Sequence, residues 1–175
     1  MGTGEVTIAV ADAGPLIHLT EIGCFPLLHI FDTLHIPDAV WAETVGQTRV
    51  AQDDILRLGT VRRHALPPAE VEEFVQEKRF EDLHNGEREC LYLCRRIGVS
   101  ILLTDDLAVR EAAKRLNLTP VGSLGIVARA YRLGHISLTD AKRHLTDLYD
   151  VSSLFVTRAI VELAIEQLLH QSDQC

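Results

Sequence analysis

No uninterrupted apolar run in the 175-residue chain approaches the ~20 residues that a membrane span requires. Yet 47% of its residues are hydrophobic, so the apolar material is spread out and available for a sizeable core. No basic region followed by an apolar segment and a cleavage site opens the chain, so no signal peptide is expected. Internal repeats and low-complexity linkers are also missing, and a single domain over residues 1–175 is the expectation. Cys24, Cys90, Cys94 and Cys175 form neither a disulfide framework nor a zinc spacing; Cys90 and Cys94, four apart on one helix face, suit small buried thiols. There is no HExxH, no GxSxG and no phosphate-cradling glycine-rich loop, which removes the common zinc, serine-nucleophile and P-loop chemistries. A soluble, cytoplasmic protein with no membrane partner is expected.

The formal net charge of −8 argues against a general polyanion binder. It does not exclude nucleic acid, because an acidic metal-binding cluster can supply much of the excess. The cations are mostly arginine: Arg62-Arg63, Arg95-Arg96, Arg110, Arg115, Arg129 and Arg132. Arginine suits bidentate phosphate contacts, and solvated helix surface is the plainer use of most of these.

The stretch Ser100 to Leu118 organises the rest. Ile101, Leu102 and Leu103 read as a short buried strand, and Asp105-Asp106 stand at its end. From Leu107 the period becomes helical through Val109, Ala112, Ala113 and Leu116. The same strand–acid–helix grammar occurs at Glu5 to Ala11, with Asp12 at the tip and a helix over Leu16 to Leu19. Further strands are expected at Thr33 to Ile36, weakly at Thr60 to His64, and at the edge at Thr119 to Val121. Helical segments are expected at Phe25 to Phe31, from Pro37-Asp38, and over Val50 to Leu58, Glu70 to Arg79 and Glu87 to Ile97. A C-terminal helical extension covers about 122–170, its last helix near Ser153 to Leu169. The buried line of the Glu87 helix should be Cys90, Leu91, Leu93, Cys94 and Ile97.

The acids are the chemistry-bearing residues. Asp12 and the Asp105-Asp106 pair stand where strands end, Glu87 falls on the core side of a helix start, and Glu43 borders another apolar face. Each has a structural alternative: an N-cap for the aspartates and an exposed side chain for Glu43. Carboxylates forced together cannot all stay ionised without a cation or a proton. An oxygen-rich set suits Mg²⁺ or Mn²⁺, and such ions can activate water for phosphodiester cleavage. A phosphoacceptor aspartate is a rival reading, but receivers place their acid pair at the first strand and a lysine late in the sheet, and neither is found here.

DAGPLIHL, IPDAVWAE, NGERECLYL and LLTDDLAVREAA, in that order, resemble the successive motifs of PIN-domain nucleases. The tail VGSLGIVARAYRLGHI resembles a prokaryotic PIN subfamily related to VapC-like toxins. The resemblance implies an α/β, Rossmann-like three-layer fold: a central parallel sheet of about five strands, helices on both faces, and C-terminal helices. Its first and fourth strands would be neighbours, bringing Asp12 and Asp105-Asp106 together. It also implies a metal-dependent endoribonuclease, with Asp12, Glu87 and Asp106 as metal ligands and Glu43 orienting a metal-bound water. Asp105 would be an additional ligand or a support for the others, and Glu89 ranks lower. RNA is the implied substrate, and a toxin–antitoxin role with an antitoxin protein as partner follows from the same family. A catalytically weak PIN fold that binds nucleic acid or protein is the alternative.

The last helix is apolar over a wide arc, with Phe155, Val161, Ile165 and Leu169 beyond a single stripe. A homodimer, or a complex with a small antitoxin, would cover that area; packing inside its own domain is the competing explanation.

Overall fold

The computed structural model describes residues 5–172, so Cys175 lies outside the described residues. Strand β1 (Ile8–Ala11) is the centre of the fold. Its small residues Ala9 and Ala11 flank Val10, and all three have no exposed surface. Parallel partners lie on both sides: β2 (Thr33–Pro37) opposite Val10 at His35, and β4 (Ile101–Leu103) opposite Ala11 at Leu103. With β3 (Val61–His64) and β5 (Thr119–Val121) the order is β3-β2-β1-β4-β5, all parallel. Leu102 and Leu103 point to opposite sides of the sheet, yet both are fully buried, so both faces are covered. This is the expected α/β three-layer architecture, with the weak strand and the edge strand where the sequence placed them.

The chain runs outward from β1 to β3 and then returns to the other side of β1 for β4. Strand order therefore reverses between β1 and β4, and the crevice beyond their carboxyl ends is where such sheets place sites. Helix α1 (Ala13–Glu21) leaves β1 and α6 (Leu107–Arg115) leaves β4. Helix α2 (Asp38–Thr44) follows β2, and α5 (Asn85–Ile97) packs across β1, β2 and β4. Helices α3 (Gln52–Leu58) and α4 (Pro68–Lys78) flank β3 in the chain; α7 (Ser123–Arg132), α8 (Leu138–Asp150) and α9 (Arg158–Ser172) form the C-terminal layer. Cys24, Cys90 and Cys94 are free, buried thiols, as expected of small core residues. Among the described residues no helix is long and apolar enough to cross a membrane.

Several local expectations are corrected. Phe25–Ile30 is helical as expected, ends one residue sooner and is of the 3₁₀ type, with Pro26 in its first turn. Ile97 is 36% exposed, because it is the last helical residue before Gly98 turns the chain at positive φ. Leu107, the first residue after the α6 cap, is 73% exposed and faces a groove, not the core. Helix α9 starts at Arg158, not near Ser153. The Glu21 carboxylate accepts hydrogen bonds from the Ser153 N–H (2.6 Å) and hydroxyl (2.8 Å), holding the preceding segment out of helix. The expected outer face changes with it: Val161 is core and Ile165 packs against the core, whereas Ile160 and Leu163 are exposed.

Leu102→Ala removes a fully buried side chain from the second central strand and should cost about 2–5 kcal/mol in urea unfolding. Leu107→Ala, at the exposed start of α6, should stay within about 0.5 kcal/mol of the parent.

Candidate active site

The Asp12 backbone N–H donates to Leu103 O at 2.9 Å, extending the β1–β4 pairing by one residue. Its side chain caps α1, Oδ1 accepting the Ala13 N–H at 2.8 Å. Oδ2 accepts the Thr104 hydroxyl at 3.0 Å, and the same hydroxyl oxygen accepts the Asp106 N–H at 3.3 Å. Asp106 caps α6 through Val109 N–H (3.0 Å). Both structural alternatives for the aspartates are thus realised. Capping uses one lone pair of an oxygen that has two, so acceptor capacity remains.

Glu87 lies in the first turn of α5, where Oε2 accepts the His84 N–H at 2.8 Å. Glu43, on α2, approaches the same helix start: a Cβ on Gly86 would lie 3.5 Å from Glu43 Oε2 and 3.4 Å from Val40 Cγ2. Asp12, Glu43, Glu87, Asp105 and Asp106 line one cleft of about 290 Å³, together with His18 and the 153–155 segment. The structure thus brings all the sequence-derived acids to one place. Glu89 is elsewhere employed, its Oε2 accepting the Ala39 N–H at 3.0 Å at the start of α2.

Asp105 differs from its neighbour. Oδ1 accepts the Ser123 N–H at 2.6 Å; Oδ2 accepts the Ser123 hydroxyl at 2.6 Å and His18 Nδ1 at 2.7 Å. A Cβ on Gly122 would stand 2.8 Å from Asp105 Oδ1, so this close approach requires glycine. His18, Thr104 and Ser123 are the site residues that sequence reasoning missed. The only trace of His18 is a polar residue inside the apolar PLIHL run, and Thr104 and Ser123 read as ordinary strand-end and cap residues.

No lysine or arginine among the described residues forms an ion pair with Asp12, Glu43, Glu87, Asp105 or Asp106. Asp12 is 6% exposed. Burial drives its carboxyl up to about 7 and the charges of Glu87 and Glu43 push the same way, against the Ala13 N–H and Thr104 hydroxyl. A cation would relieve that strain. Among the described residues no three acidic, histidine or cysteine side chains close into a preformed cage. The donors are carboxylate oxygens, which fits a hard divalent ion that keeps several waters and takes one or two carboxylates.

The family model DUF3368, a PIN domain, matches residues 8–170. The chain belongs to the PIN-domain family. No curated protein matches it. PIN domains are generally nucleases, and this one has the corresponding nuclease-type fold, with its acids at the β1–β4 switch point.

The raised Asp12 group makes stability depend on pH. Its folded value of about 7 exceeds the 3.8 of an ordinary aspartate, so the folded state holds the proton more tightly. The corresponding stability is fully present below about pH 4 and is lost as pH rises through about 7. Without divalent metal, Asp12→Asn should therefore be more stable than the parent at about pH 8, by up to about 4 kcal/mol. Near pH 4 the advantage should vanish. Urea unfolding in chelator at both pH values reads this out.

Proposed function

We propose that this PIN domain is a Mg²⁺- or Mn²⁺-dependent endoribonuclease hydrolysing RNA phosphodiester bonds. The observation that carries the reading is the cleft of Asp12, Glu43, Glu87 and Asp106, free of lysine and arginine ion-pair partners among the described residues, with Asp12 driven toward protonation by burial and by its neighbours. Asp12, Glu87 and Asp106 would hold the ion, which supplies Lewis acidity at the phosphate and a lowered pKa for water. Asp12 offers its remaining lone pairs from a position fixed by Ala13 and Thr104. Glu87 projects from a first turn whose dipole favours negative charge. Glu43 would orient the attacking water and take its proton as the new phosphorus–oxygen bond forms, while the bond to the leaving ribose oxygen breaks and that oxygen takes a proton from solvent. Asp105, with both oxygens occupied by His18 and Ser123, serves as a positioning residue for the cleft wall rather than as a principal ligand.

Family precedent favours RNA over DNA and makes the toxin of a toxin–antitoxin pair the leading biological role. The rival reading, a catalytically weak PIN fold that binds nucleic acid or protein, draws on the lack of a preformed three-residue cage among the described residues. A partner face remains at Leu163, about half exposed on α9, and a second copy or an antitoxin is the proposed cover. Leu163→Glu should leave stability unchanged and convert a dimer to monomer in light scattering.

Asp106→Asn discriminates between the two readings of the cleft. Asparagine is as good an N-cap as aspartate, so the melting temperature should hardly change. Metal-dependent cleavage of a labelled RNA should fall by at least about 100-fold, since even residues that only support ligands cost about 10–100-fold. Calorimetry with Mn²⁺ should show binding to the parent and none to Asp12→Asn. A parent that neither binds Mn²⁺ nor cleaves RNA would establish the binding-module reading.

A further inference from the structure

Beside the acidic cleft lies a larger groove of about 630 Å³ with a different character. Its walls are apolar, including Pro120, Leu124 and Val156, and Leu107 stands exposed at its side. Arg110, Arg129 and Arg132 also line it without an ion pair among the described residues. Arg110 donates to the Thr104 carbonyl (3.3 Å), Arg129 donates to the Thr7 hydroxyl (3.2 Å) and lies over the Phe31 ring, and Arg132 is the one left for a ligand to use most directly. Elsewhere on the surface Arg57, Arg63, Arg95 and Arg143 are each matched to a carboxylate. In a chain of net charge −8, this groove sets three arginines without a carboxylate partner next to the acids, although Arg62, Arg79, Arg88, Arg115 and Arg158 also form no ion pair among the described residues.

The two depressions share Asp105, Leu154 and Phe155. Phe155 is 99% exposed, which is extreme for an aromatic side chain. Its segment is nevertheless pinned, by the Ser153 bonds to Glu21 and by Leu154 N–H to the Ser152 hydroxyl at 3.2 Å. An aromatic ring held in water at the junction of an acidic cleft and an arginine-lined apolar groove has the parts that single-stranded nucleic acid needs. Bases stack on exposed aromatic faces and on apolar walls, while arginines take the phosphates.

We infer that this groove binds the single-stranded nucleic acid flanking the scissile phosphate, with Phe155 as the stacking platform where the strand leaves the cleft. The inference rests on the nuclease reading of the cleft and adds the path of the substrate. An acidic amphipathic peptide shares part of this chemistry. Continuity with the cleft through Phe155 favours the substrate strand.

The test is fluorescence anisotropy with a fluorescein-labelled oligouridylate, in the Asp12→Asn background so that the strand stays intact. Phe155→Ala should weaken binding about 5- to 150-fold, the loss of one stacked base, and Phe155→Trp should restore it. Arg132→Ala should weaken binding and reduce the slope of log affinity against log salt by about 0.7, one single-strand phosphate contact. Phe155 is fully exposed, so these variants fold, which a melt verifies. If alanine and tryptophan at 155 bind like the parent, or the salt slope is unchanged in Arg132→Ala, the inference falls and the groove passes to a protein partner. The nuclease reading fails separately: a chain that binds with this Phe155 dependence but never cleaves with any divalent metal keeps the groove and loses the activity.

Discussion

The hydroxyl of Thr104 holds the centre of this molecule together. It donates to Asp12 Oδ2 and accepts the Asp106 N–H, so one buried oxygen ties the tips of β1 and β4 and the starts of α1 and α6. The backbone pairing of β1 and β4, extended by Asp12 N–H to Leu103 O, brings the tips together, and the Thr104 hydroxyl fixes the Asp12 carboxylate on them. An alanine in its place would leave a buried carboxylate oxygen without its donor, and valine would keep the shape but not the bond. The cleft geometry is thus set by a neutral residue that itself carries no charge to the site.

Capping and crowding are two uses of the same carboxylates here. Asp12 and Asp106 each satisfy an orphan amide at a helix start, which fixes the side chains without exhausting their lone pairs. The helix starts in turn place positive partial charge behind the acids. That arrangement does not offset desolvation: burial first, and the charges of Glu87 and Glu43 after it, raise the Asp12 carboxyl. Helix N-termini therefore favour ionised carboxylates, burial opposes them, and at Asp12 burial wins.

Much of this was legible in the sequence because it rests on local rules. The apolar run Ile101–Leu103 followed by two acids and a helical period could only end a strand, and the same grammar at Asp12 pointed to a second strand of the same kind. The PIN resemblance rested on four motifs in order, and the five-stranded parallel sheet was what that resemblance implied. What stayed hidden depends on residues far apart in sequence. Asp105 and Asp106 are adjacent and identical, yet Asp105 is occupied because Ser123 and His18 arrive from α7 and α1. Leu107 continues a helical pattern but faces a groove, since periodicity names a face without saying what covers it. Helix α9 begins later than its apolar pattern suggested, because Glu21 captures the Ser153 amide. No window of sequence around either residue contains that contact.

The attachments of α1 have a consequence for the lengths this chain can accept. The helix is capped by Asp12, grips Asp105 through His18, and holds the 153–155 segment through Glu21. His18 and Glu21, three apart, share a face, and each residue in a helix turns its successors by about 100°. Removing or adding one residue between Ala13 and Ile17 would swing His18 and Glu21 away from their partners together while Asp12 stayed in place. Substitutions along α1 can be absorbed one contact at a time, but a change in its length cannot: this helix behaves as a gauge whose nine residues set the spacing of cleft, wall and aromatic arm at once.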